Sequence, residues 1–124
     1  MTKRILVIDD DQYIREIYEE ILKKEGYTVE IAVNGEEGLT KLQQGGYDLV
    51  LLDKVMPKLD GKGILKALAK NPPQQKNGPL VLLTNANPEA GEEQNDQVAL
   101  YLVKVDLTPD DLLTEVKKLI EEKK

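Results

Sequence analysis

Six side chains stand where apolar runs end, and their types limit the chemistry available to the chain. The run ILVI (5–8) ends in Asp9-Asp10-Asp11, LVLL (49–52) in Asp53, LVLL (80–83) in Thr84 and LYLV (100–103) in Lys104. Carboxylates crowded together repel one another, so such a set is costly unless protons or a cation neutralise it. A hard divalent cation does this well: Mg²⁺ (or Mn²⁺) takes oxygen ligands, keeps several waters and is held by one or two carboxylates. Asp10 and Asp53 are the natural direct ligands, Asp9 acts through water, and the backbone carbonyl of Val55, just past Asp53, completes the protein's share. The plainer role of an acid after a strand is to cap the next helix, and that role suits Asp11. It does not account for Asp9, Asp10 and Asp53 together, because two separate apolar runs end abruptly in acid.

The elements that must position these residues follow from the hydrophobic pattern. The four runs carry no polar residue on either face, which suits strands buried on both sides in a parallel sheet. A fifth segment, Tyr27 to Val33, alternates, with Val29, Ile31 and Val33 on one face and Thr28, Glu30 and Ala32 on the other, as an edge strand would. Helical spacing links Ile14, Ile17, Ile21 and Leu22, then Leu39 and Leu42, then Ile64, Leu65 and Leu68. The last helix carries Leu112, Leu113, Val116, Leu119 and Ile120 on a charged background. Strand and helix thus alternate five times, which predicts a parallel α/β sheet with right-handed crossovers. In such a sheet ligands bind outside the carboxyl ends of the strands, where the acids, Thr84 and Lys104 all fall. One helix is thin. Asn87-Pro88 has the form of a cap followed by a first-turn proline, yet Pro88 to Gln97 offers only Ala90 as an apolar anchor and includes Gly91. Asn71 to Pro79 is expected to be a polar surface excursion.

At 124 residues, with 40% hydrophobic and 32% charged content, the chain fits one globular domain over 1–124 and no output domain. Without Cys or His it has no disulfide, thiolate site, imidazole base or phosphohistidine of its own. A net charge of −6 is the wrong sign for binding phosphate backbones or anionic lipid, so no direct contact with nucleic acid is expected. The opening apolar run is too short for a signal peptide and no later one reaches membrane-spanning length. No membrane insertion and a cytoplasmic location are therefore expected.

ILVIDDD, LVLLDKVMPKLDG, VLLT and YLVK, in that order and spread over nearly the whole chain, resemble the signature blocks of response-regulator receiver domains. The resemblance implies a doubly wound, five-stranded flavodoxin-like (βα)5 fold with strand order 2-1-3-4-5, the order given for the chemotaxis member of the family. It also implies a phosphorylation switch of a two-component or phosphorelay system rather than an enzyme. Asp53 would take a phosphoryl group from a phosphohistidine on a sensor histidine kinase or a histidine phosphotransfer protein. Asp9 and Asp10 would hold Mg²⁺, Lys104 would contact a phosphoryl oxygen, and Thr84 then Tyr101 would move in response. A separate output protein would read the change. Taken alone, Lys104 suits a solvated lysine and Thr84 a plain strand-end hydroxyl, while Tyr101 suits ordinary burial as well as a switch. Pro57 is read as stiffening the loop after Asp53, Asp60 as capping the third helix, and Gly61 as easing its entry.

Several positions depart from the family pattern. Val105 stands where receivers carry a cis proline, so a trans bond and a shifted Lys104 are expected. Asn85 follows Thr84 in place of a very small residue, where it would narrow access to Asp53 or donate to the phosphoryl group. Val55 and Ala86 occupy the positions that influence phosphate loss, and neither can orient a water, which implies slow self-hydrolysis. The thin helix makes either an order–disorder switch or a degenerate loop. A phosphatase of the aspartyl-phosphate type would need an acid at Val55. A cofactor-carrying flavodoxin would need a phosphate-cradling loop where Asp9 to Asp11 stand. The remaining alternative is a pseudo-receiver that binds a protein constitutively without phosphorylation, which would be expected to have lost Asp53, Lys104 or the acidic pair.

Overall fold

Five parallel strands form one sheet in the order β2-β1-β3-β4-β5, with β1 Arg4–Ile8, β2 Thr28–Ala32, β3 Leu49–Asp53, β4 Leu80–Thr84 and β5 Leu100–Val103. The computed structural model describes residues 2–85 and 96–121. Among these are four α-helices, α1 Gln12–Lys24, α2 Gly35–Gln44, α3 Gly61–Lys70 and α4 Pro109–Glu121, and a 3-10 turn over Lys104–Asp106. The helix expected from Pro88, its Asn87 cap and Ala86 lie outside the described residues.

Period-two geometry explains why the strands need apolar residues throughout. On β1, Leu6 and Ile8 join a core with Leu42 of α2 and Ile64, Leu65 and Leu68 of α3. Ile5 and Val7 turn to the other side and join Tyr18 and Leu22 of α1 and Leu112, Val116 and Ile120 of α4. A strand between two helical layers has no face for a polar residue. β5 departs from that expectation: as the edge strand it has all four residues only half-buried. β2, the other edge, ends at Ala32, one residue before the expected Val33, which is exposed and gives its N–H to the Glu37 carboxylate at 2.7 Å. Asn34 in turn accepts from Glu37 N at 2.8 Å, so the end of the alternating segment forms a reciprocal helix cap.

Asn71 to Pro79 runs over the surface as expected, with no residue buried, and it is also tied down. The last four carbonyls of a helix have no partner within it. For α2, Gly45 N donates to the Lys41 carbonyl, and the loop serves the rest. Asn77 Nδ2 reaches Leu42 O at 3.1 Å, Gln74 N reaches Gln43 O at 2.8 Å and Gln75 N reaches Gln44 O at 3.1 Å. Asn77 Oδ1 also accepts from Tyr47 N at 3.2 Å, and Gly78 N donates to Tyr47 O at 2.7 Å. Gly45, at φ 78°, lies so close to the loop that a Cβ there would meet the Gln75 carbonyl at 1.7 Å. Asn77→Ala removes two of these bonds and leaves partly buried groups unpaired, so it is expected to cost about 1–2 kcal/mol in urea unfolding. Gln74→Ala, which keeps the backbone bond from Gln74 N to Gln43 O, is the control and should change little.

Candidate functional site

The site is built at the carboxyl ends of β1, β3, β4 and β5. Register sets it: Ile8 lies opposite Leu52, so Asp9 and Asp53 leave neighbouring strands at one level. Asp53 pairs with Leu83, and Thr84, the next residue, pairs with Val103 immediately before Lys104. Among the described residues, Asp9, Asp53 and Thr84 are the buried polar ones, with 0%, 3% and 2% of their surface exposed. Asp10 is exposed. One carboxylate oxygen from each of Asp9, Asp10 and Asp53 lies within 4.8 Å of the others, a donor set suited to a hard divalent cation.

Each buried oxygen has a partner. Asp53 Oδ1 accepts from Val55 N at 3.2 Å, and Asp53 Oδ2 accepts from Lys104 Nζ at 3.3 Å. Asp9 Oδ1 accepts from Asp11 N at 2.9 Å, and its Oδ2 takes Lys104 Nζ at 3.1 Å. The Lys104 ammonium therefore bridges the two buried acids. Among the described residues there is no cis peptide bond, so the Lys104–Val105 bond is trans as expected, but the lysine still reaches the site from the start of the 3-10 turn. Burial, reinforced by the Asp9 charge, pushes the Asp53 carboxyl up to about 6, and Lys104 only partly offsets this. Burial pulls the Lys104 ammonium down, yet Asp9 and Asp53 outweigh it and hold the group above its ordinary value.

The loops around the acids are fixed locally. Asp11 caps α1, accepting from Tyr13 N at 2.9 Å and Ile14 N at 3.3 Å. Asp60 caps α3 through Gly63 N at 2.9 Å. Gly61 N donates to Lys54 O at 2.9 Å, and a Cβ on Gly61 would meet Lys54 Cα at 2.9 Å, so the turn after Asp53 folds back too closely for a side chain. Met56 is buried in the core beside α3, whereas Val55 is exposed and presents its N–H inward. Asn85 is exposed beside buried Thr84. Tyr101 pairs with Leu82 in the sheet, and its half-buried side chain packs on the core shared with α3.

Two supports escape sequence reading. Arg15 Nη1 donates to the Asp9 carbonyl at 2.8 Å, pinning the backbone that carries the acidic pair. Its place one turn beyond the Asp11 cap is the signal that could have found it. Gly35 opens α2 where a Cβ would sit 2.0 Å from the Leu59 carbonyl, so the loops after β2 and β3 interlock. That approach joins residues 24 apart and has no signal in a single sequence.

Comparison with known proteins gives this site its context. The model of the family described as "Response regulator receiver domain" matches residues 5–117. The transcriptional regulatory protein ResD of Bacillus subtilis is 33% identical over 119 residues, covering 94% of this chain and 48% of ResD. The alkaline phosphatase synthesis transcriptional regulatory protein PhoP of the same organism is 36% identical over 114 residues, covering 92% of this chain and 42% of PhoP. The matched region spans between 14% and 48% of the length of such curated relatives. Among solved structures, a CheY-like receiver domain protein from Methanospirillum hungatei is 32% identical with a TM-score of 0.82, covering 98% of this chain and 96% of that one. The response regulator TrrA from Thermotoga maritima, solved in complex with Mg²⁺-BeF, is 38% identical with a TM-score of 0.78, covering 95% of this chain and 99% of that one. Among the described residues no helix is long and apolar enough to cross a membrane. With the fold, the strand order and the family model in agreement over most of its length, the chain belongs to the response-regulator receiver family.

Proposed function

We propose that Asp53 is the phosphoryl acceptor of a signalling switch. The observation that carries this reading is its carboxyl: buried, ending a central strand, touched by Lys104, and grouped with Asp9 and Asp10. In the transfer, an Asp53 carboxylate oxygen forms a bond to phosphorus as the P–N bond of a phosphohistidine breaks, and the imidazole leaves with the electron pair and takes up a proton. Asp9, Asp10 and Asp53, with the Val55 carbonyl, would hold Mg²⁺ or Mn²⁺, which when bound supplies neutralising charge to the phosphoryl oxygens. Asp53 must be ionised to attack, and a carboxyl raised to about 6 is mostly so at neutral pH. Lys104, already bridging Asp9 and Asp53, stands ready to meet an added anion. Thr84 ends β4 one strand away and is the hydroxyl available to follow, with Tyr101 upstream of Lys104 on the neighbouring strand.

The donor is read as a protein, a histidine kinase or phosphotransfer protein. Tyr13, Val33, Val55 and Val105 are the large exposed hydrophobics among the described residues, and all four lie on loops or a first helical turn around the acids. A polar pocket with an apolar collar suits a protein surface better than a free small phosphate.

Incubation with acetyl phosphate and Mg²⁺, followed by intact-mass measurement, tests the acceptor. One phosphoryl adduct is expected on the natural chain and none on Asp53→Asn. Adduct on neither chain, both folded and binding Mn²⁺, would favour the pseudo-receiver.

A further inference from the structure

The charge of this chain is segregated along its sequence. Residues 54–76 hold six lysines and one acid, Asp60, a charge of +5, so the other 101 residues carry −11 of the total of −6. The core of this stretch is α3, which contains Lys62, Lys66 and Lys70 and no acid at all. These lysines fall at i, i+4 and i+8, so they form one row along the helix, about 6 Å apart in rise, and all three are exposed.

Four lysines elsewhere are paired with acids. Lys23 pairs with Glu19, Lys41 with Glu30, Lys117 with Glu25, and Lys104 with Asp9 and Asp53. Lys58, Lys66, Lys70 and Lys76 make no ion pair among the described residues. A row of like charges at i, i+4 spacing works against its own helix. The apolar side of α3, Ile64, Leu65 and Leu68, holds the helix in place, so the lysine row is not what anchors it.

We propose that the exposed lysine row of α3, flanked by Lys58 and Lys76, is a docking surface for an acidic face of another protein, with carboxylates at helical spacing. Charge complementarity argues for this occupant, and the charge of the rest of the chain, −11, argues against a long polyanion such as a nucleic acid. Phosphates beyond a Debye length of about 8 Å from the row gain nothing from it. A short acidic helix fits the row and ends where it ends. Lys58 borders the acidic site, lining one cavity with Asp10 and Val33, but the row on α3 contributes no residue to the carboxylate cluster, so the proposal does not rest on phosphorylation.

The test uses a synthetic acidic helical peptide with glutamates at i, i+4 intervals, titrated into isotope-labelled protein at low salt and followed by amide NMR shifts. The shifts are expected along α3 from Lys62 to Lys70. Lys66→Glu with Lys70→Glu should weaken binding at least about tenfold, with Lys66→Gln and Lys70→Gln intermediate, and high salt should abolish it. The parallel variant Lys23→Glu with Lys118→Glu should bind as the natural chain does. Shifts spread evenly over all lysines, or unchanged affinity in the Lys66/Lys70 variants, would overturn the proposal. Equal or tighter binding of an oligothymidylate of the same charge would also overturn it, by making the row a polyanion site. Sedimentation of the free protein as a concentration-dependent chain of copies would overturn it in favour of self-association through the acidic faces.

Discussion

Asp53→Asn is expected to make the metal-free protein more stable at pH 7, by about 2 kcal/mol. The Asp53 carboxyl is raised from an ordinary 3.8 to about 6, chiefly by burial and then by the Asp9 charge. In the unfolded chain the group gives up its proton near its ordinary value, whereas in the folded chain it keeps the proton until about 6. Between those values the folded state binds more protons than the unfolded one, so stability falls as pH rises through the window. Above about 6 the loss is complete, and a difference of that size corresponds to roughly 3 kcal/mol. Asparagine never ionises and so escapes this loss, but it gives Lys104 a weaker partner than a carboxylate, which takes back part of the gain. Urea unfolding of both chains at pH 7 and pH 4.5 measures the effect. The gain should be largest at neutral pH and shrink toward pH 4.5 as the natural Asp53 becomes protonated in the fold. A gain independent of pH would mean that something other than the buried charge is responsible.

The same buried charge explains what was legible in the sequence. An apolar run that stops at an acid is visible in one dimension, because a strand covered on both faces tolerates no polar residue until it leaves the sheet. Asp9, Asp53, Thr84 and Lys104 were found in this way, and the register of β1, β3, β4 and β5 brings them to one rim. Cap residues were legible for a similar local reason: Asp11 and Asp60 bond donors two or three residues ahead. What the sequence did not disclose depends on partners far along the chain. Asn77 looks like an ordinary loop residue, yet it closes the end of α2 and steadies Tyr47 at once. Arg15 is the local exception: its partner, the Asp9 carbonyl, is only six residues back, but a charge on the first turns of α1 does not by itself say which group it holds. LYLV reads as a fully buried strand, but only the strand order reveals that it is an edge. The resemblance that supplied the order 2-1-3-4-5 contained that information, and composition alone did not.

Lys104→Met should have the opposite sign and a larger size, a loss of about 3 kcal/mol at pH 7 in the absence of divalent cations. The ammonium bridges Asp9 and Asp53, whose side chains have 0% and 5% of their surface exposed, and its own is 17% exposed. Methionine keeps most of the packing volume and removes the charge, leaving two buried carboxylates facing each other. Breaking a buried ion pair by removing one partner costs about 3–5 kcal/mol, and the partial exposure of Lys104 places it at the lower end. The raised affinity of Lys104 for its proton keeps its contribution fully present below the ordinary lysine range and removes it only as pH climbs through the higher folded value, so neutral pH lies within the favourable region. Two comparisons separate this cause from lost packing. At pH 5, where Asp53 is largely protonated, the cost of Lys104→Met should fall, since one of the two charges has gone. In an Asp53→Asn background it should fall as well, to about half, because only Asp9 is left uncompensated. A cost that is the same at both pH values and in both backgrounds would mean that the methylene stem, and not the ammonium, carries the contribution of Lys104.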